Sequence, residues 1–290
     1  LELLRSEPRS NGDLLSAEEV LAEEPALTET VTGGLLVHSG RRSDPGALAA
    51  AAALAARSAG ATIRTHVDVK RLMPGAVVAD DGLHKAPTIL LAAGAWSRTL
   101  ARSAGHELPV RPVRGWLAIV APGPKLLNHV IYEAEYDPAP DLEPGRPITL
   151  SELADGDLAT IGAGGSHALG AHQNRDGTIM IGASRSAALR DTDESAESLR
   201  ATASRACRLI PALAEREVAT TWTGLRPFSA DGLPYIGLLD DGLVVCAGHG
   251  SEGILTGAGS GRLAAELALG AEPFTDAQPF SPDRISVAAG

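Results

Sequence analysis

Residues 222–269 read WTGLRPFSADGLPYIGLLDDGLVVCAGHGSEGILTGAGSGRLAAELAL, and this stretch decides the fold. A short apolar run, Leu243 to Ala247, leads directly into Gly248-His249-Gly250-Ser251-Glu252-Gly253. A helical pattern starts at Ile254. A strand, a glycine-rich turn and a helix N-terminus together form a seat for anionic or electron-rich groups. Turn N–H groups face outward there, and the helix dipole adds partial positive charge. Upstream, Arg226 stands between Gly224 and Pro227. The glycine and proline predict a tight turn that presents its guanidinium beside the seat, where it would suit a carboxylate.

The glycine loop satisfies G-x-G-x-x-G and admits three readings. A Rossmann fingerprint needs a further strand after the helix with an acidic residue at its end. Gly270 closes the helix here, and AEPFTDAQPF is a poor strand. A second reading is a turn that needs glycine for backbone geometry alone. The third is a loop touching a cofactor whose main fingerprint lies elsewhere.

Upstream, Ser16 and Glu19 form a capping box, and Pro25 follows the short helix they start. Gly33 to Ser39 reads as a strand. Asp44-Pro45 is an N-cap followed by proline at the first helical position, opening a helix that Gly60 ends. Ala61 to Val69 alternates as a strand. Val77 to Gly82 predicts a hairpin edge, and Ile89 to Ala93 a parallel strand buried on both faces. That strand ends at Gly94-Ala95-Trp96-Ser97, the kind of carboxyl end where open α/β sheets bind ligands. From Val110 to Thr223 short strands and one amphipathic helix, Ser195 to Leu209, predict an antiparallel sheet with a covering helix. Asp137 to Gly170, rich in Pro, Gly and Asp, reads as a surface loop or lid. The tail after Gly270 has little periodicity and is expected to fray.

The 290 residues suffice for one large or two interleaved domains. A net charge of −11 with no basic stripe argues against a nucleic-acid partner. No run is apolar enough for a membrane span. Cys207 and Cys246 lie in apolar segments, which suits buried reduced thiols and a cytoplasmic setting. No convincing metal-ligand spacing and no G-x-S-x-G occurs.

Six pieces of the chain, in order, resemble the D-amino-acid-oxidase-like family of FAD-dependent oxidoreductases. They are Asp44-Pro45 with its helix; Gly60-Ala61 with Val67; Ala92 to Ser97; Leu108-Pro109-Val110-Arg111-Pro112-Val113-Arg114-Gly115; Trp222 to Pro227 with Asp231 to Gly237; and Gly248 to Ile254. The resemblance implies a fold of mixed α/β and α+β class. A glutathione-reductase-like FAD-binding domain (40–108 and 224–272) would interleave with a mixed, mainly antiparallel substrate domain (1–39 and 109–223), leaving a tail at 273–290. Nothing before Asp44 matches the family's opening G-x-G-x-x-G, so the FAD domain is expected to be incomplete.

The resemblance further implies FAD as cofactor and oxidation of the C–N bond of an amino acid or secondary amine. Arg226 would anchor the substrate carboxylate, with Tyr132 and His249 near the substrate. Gly248, His249, Gly250, Ser251, Glu252, Gly253 and Ile254 would follow the flavin's pyrimidine edge. Gly94, Ala95 and Trp96 would approach the phosphates or ribose, Val67 the adenine, and Gly115 (with Arg114) the ring. His129, Tyr136 and His172 are further pocket candidates. Ser251 stands where some family members carry a second arginine. A non-catalytic or truncated subunit of a flavin dehydrogenase complex, one that does not itself bind FAD, is the alternative, and the family allows like or unlike subunits to assemble.

Overall fold

The computed structural model describes residues 12–133, 148–149, 169–183, 186–187, 196–284 and 287–288. The first elements are β1 (Gly12–Ser16), α1 (Ala17–Glu23), β2 (Gly33–Val37), α2 (Pro45–Ser58), β3 (Val69–Met73), β4 (Ala76–Ala79), β5 (Gly82–Lys85), β6 (Ile89–Leu91) and α3 (Ser97–Ser103). Next come β7 (Arg111–Val120), β8 (Ile131–Tyr132), β9 (Ile148–Thr149), β10 (Gly170–Gln173), β11 (Ile179–Gly182), β12 (Ser186–Ala187) and α4 (Ala196–Leu209). The chain continues with β13 (Val218–Phe228), β14 (Tyr235–Asp240), β15 (Leu243–Ala247), α5 (Gly253–Ala268) and β16 (Val287–Ala288).

Two sheets position the site. The larger is antiparallel, in the order β12-β7-β11-β10-β8, with β13 on the other side of β7. Directly paired residues share a face. Ala171, Ile181 and Ala118 therefore line one face, and that face packs with Val120 and Ile179 against Ala206 of α4 and Ile210 just beyond it. Each fully buried isoleucine or leucine in such a core contributes about 1.5–3 kcal/mol. The opposite face carries the row Tyr132, Gly170, Gly182, Leu117 and Trp222, whose large members are exposed or half-buried.

The smaller sheet runs β14-β15-β6: a hairpin, then a parallel pair between β15 and β6. Its core joins Ile89, Leu91, Val245 and Ala247 to Leu100, Leu108, Val110 and Tyr235. β6 is its edge among the described residues, and Leu90 is 44% exposed. The expectation that this strand is buried on both faces is therefore corrected: one face and one edge are open. Helix α2 begins as its sequence demands, with the Asp44 side chain accepting from the Ala47 amide and Pro45 in the first turn, yet none of its residues is buried.

Three other expectations change. Residues 61–68 contain no strand; they have no pairing partner among the described residues, and alternation alone cannot make a ladder. Arg226 is not on a tight turn, because β13 runs unbroken from Val218 to Phe228. Pro227 is tolerated there since, among the described residues, β7 is the one strand that pairs along β13, and at Pro227 the other edge is met only through its carbonyl, which needs no N–H from proline. The tail does not fray over 271–284. Arg284 donates to both carboxylate oxygens of Asp231 at 2.8 Å and lies over the Tyr235 ring at 4.0 Å, while Ala277 and Phe280 pack on Ile236 and Leu263.

Candidate flavin and substrate site

The glycine turn has the backbone its sequence requires. Gly248 and Gly250 take φ of 87° and 55°, a region costly for side chains with a Cβ. A Cβ on Gly250 would sit 3.4 Å from the Phe228 ring, and one on Gly248 would meet Ser229 and Tyr235 at 3.2 Å. The turn is tied to β13 by the Gly250 amide, which donates to the Pro227 carbonyl at 2.8 Å, and by a bridge between Phe228 and His249. Helix α5 then starts at Gly253 with no side-chain cap. Its first-turn N–H groups have no acceptor within the helix, which leaves a positive end for an incoming group. Leu255, 80% exposed, and Ile254 flank that end.

Arg226 stands on β13 just before Pro227 and Phe228, the two residues that hold the turn. Its register partner is Val113, and Gly224 faces Gly115. The guanidinium folds back across Gly115, where a Cβ would lie 2.5 Å from its central carbon. Glycine at 115 is thus the space the arginine occupies. Arg226 and Gly115 share the face of the large sheet that α4 leaves uncovered. Tyr132 lies on the same face, 67% exposed, its ring against Gly170. β8 stands three strand spacings from β7, roughly 14 Å. His172 belongs to that face too, through the row His172, Met180 and Ile119. Burial, reinforced by the Arg42 charge, pushes its pKa down to about 4.

Gly94, Ala95 and Trp96 form a single turn of 3-10 helix that packs against β7 and β13, so the structure brings them to the same region. Gly94 takes φ of 55° with open space where a Cβ would be, and Trp96 is exposed rather than core. His249 is half-buried, burial lowers its pKa, and its Nε2 has no hydrogen-bond partner among the described residues. Val67 is not brought to the turn by any described pairing; Asp68 and Asp80 tie its segment to β4 instead. His129 is engaged elsewhere, with Nδ1 2.8 Å from the buried Glu24 carboxylate. Tyr136 and most of the expected lid, Asp137 to Gly170, lie outside the described residues. Sequence reasoning passed over Arg111, which is 6% exposed on the same face as Arg226. Its position two residues before Val113 in an alternating strand was the available signal.

Comparison with known proteins gives this geometry its context. A family model described as DAO, FAD dependent oxidoreductase, matches residues 1–267. The chain belongs to that family. Glycine oxidase from Pseudomonas aeruginosa is 36% identical over 199 residues, covering 67% of this chain and 45% of the relative. A D-amino acid dehydrogenase from Methylobacterium is 29% identical over 288 residues, covering 96% and 61%. The crystal structure of glycine oxidase from Geobacillus kaustophilus superposes with a TM-score of 0.80 at 27% identity, covering 97% of this chain and 68% of that one. The fold is accordingly the α/β FAD-binding fold of these oxidoreductases. The DAO-family chain spans about half to two-thirds of the length of the curated relatives it matches.

The residues present fit the ring end of FAD. A helix terminus without a side-chain cap, preceded by two glycines at positive φ, makes a positively polarised seat for an electron-rich group. No helix of the described chain is long and apolar enough to cross a membrane.

Proposed function

We propose that this chain forms the substrate-facing and flavin-ring part of an FAD-dependent amino-acid or amine oxidoreductase. The reaction is oxidation of a substrate C–N bond to an imine, which water then hydrolyses. FAD, when bound, supplies the hydride-accepting chemistry. The chain's own residues supply placement and charge. Arg226 receives the substrate carboxylate in a bidentate pair and so fixes the orientation of the α-carbon. Gly115 permits the guanidinium to lie flat. The first turn of α5 offers N–H groups and dipole to negative charge at the pyrimidine edge of the ring. Burial keeps His249 neutral, so it serves as a hydrogen-bonding group rather than a charge. Glycine and D-amino acids, named for the relatives, are the first substrates to try.

One observation carries this reading: the Arg226 guanidinium laid across Gly115 on a strand bonded to the glycine turn. The test is spectroscopic. The complete natural gene product, purified and folded, should be yellow. It should bleach without oxygen when the right amino acid is added. A colourless folded protein overturns the proposal. A second reading, a subunit that acts only when joined to another polypeptide, is favoured by the open edge of β6 and the uncovered α2. It predicts that flavin is retained only in a complex.

A further inference from the structure

Arg111 is a buried guanidinium with no carboxylate against it among the described residues, and its Nε has no hydrogen-bond partner. Stripping a cation of water without a counter-charge is costly, so such groups are rare unless something compensates them. Its surroundings indicate where that compensation belongs. The register partner of Arg111 is Phe228, and Phe228 bridges to His249, so the three lie in one cross-strand row under the glycine turn. Tyr235 is within electrostatic reach on the other side. Both rings support the turn: Phe228 lies beneath Gly250 and Tyr235 beneath Gly248. Ser229, also buried, presents an Oγ without a partner at the same place. A buried cation and unsatisfied polar atoms thus converge below an uncapped helix terminus.

We propose that Arg111 is a positioning residue of electrostatic kind: its charge adds to the α5 terminus so that the turn favours negative charge on the pyrimidine edge of the bound flavin ring. This rests on the flavin reading above. Desolvation also pushes the Arg111 pKa down to about 10, which still leaves it charged at neutral pH. The two sources differ in reach. The helix terminus acts within its first turn, whereas a guanidinium in a poorly solvated core acts over several ångströms.

The experiment uses the complete natural gene product with Arg111→Met, Arg111→Gln and Arg111→Lys. Flavin content is measured first. Sulfite is then titrated into the oxidised protein, where its sulfur lone pair forms a bond to flavin N5 and the displaced electron pair settles on the N1–C2 carbonyl edge. The flavin midpoint potential and the thermal stability of the flavin-free protein are recorded in parallel. Loss of the charge in the Met and Gln variants should weaken sulfite binding about tenfold or more and move the potential to more negative values, with Lys close to wild type. The flavin-free Met variant should melt no lower than wild type, because an uncompensated charge has been removed. A yellow wild type with sulfite affinity and potential unchanged in both neutral variants overturns the role of Arg111 alone. A Met variant too unstable to purify, with Gln retaining wild-type potential, also overturns it in favour of a structural role. A colourless wild type defeats the flavin reading and this inference with it.

Discussion

Arg226 and Gly115 make a pair whose substitutions should give one phenotype by two routes. Arg226→Ala removes a charge-assisted anchor, and kcat/KM for an amino-acid substrate should fall about a hundredfold, while an amine lacking the carboxylate should be unaffected. Steady-state kinetics on the two substrate types decide it. Gly115→Ala leaves the arginine in place but fills the space its guanidinium occupies, so it should raise KM about tenfold with near-normal folding by circular dichroism. The arginine was legible in the sequence because it sits in a recognisable order of motifs. The reason for Gly115 was not, since which side chain lies over a glycine depends on strand register. Arg111 escaped for a related cause. A charged residue in a strand reads as solvent-facing until the covering elements, here the turn and Tyr235, are in place.

At the level of elements, the hairpin β14–β15 is clamped to the tail by Asp231 and Arg284. Both side chains are nearly buried. Arg284→Ala should therefore cost about 3 kcal/mol, read from denaturant unfolding, because it strands a buried carboxylate. For Asp231, burial works to raise the pKa, but the Arg284 hydrogen bond and charge outweigh it and hold the net value below the ordinary 3.8. A depressed carboxylate pKa stabilises the fold above 3.8 and loses that contribution as pH falls through the lower folded value. Asp231→Asn should flatten the acid limb of the melting curve below that pH, and an unchanged limb would refute the assignment. Local signals served well wherever one element determines itself: the Ser16 capping box, the Asp44-Pro45 start and the hairpin at Gly82 stand as expected. They failed where a distant partner decides. Residues 61–68 alternate without a strand to pair with, and the tail, lacking periodicity, is held by packing on Ile236 and Leu263 and by an arginine whose acid lies 53 residues away.

Across the described residues the large sheet has a helix packed on one face, while the small sheet ends at β6. Among the described residues β6 offers unpaired backbone along its outer side, next to an exposed Leu90. Exposed parallel edges associate unless charged or covered. Leu90→Lys should reduce light scattering of the isolated chain at high protein concentration, with little change in its melting temperature. Helix α2 makes the same point from the other direction. Fourteen residues of mostly alanine, burying nothing, have about the persistence of a helix cut out and dissolved alone. Its amide protons should trade with heavy water nearly as fast as those of a short synthetic peptide, far ahead of those in β7. Any polypeptide or flavin-bearing segment that settles against that flank would slow them, so the isotope uptake of this one helix is a clock for assembly.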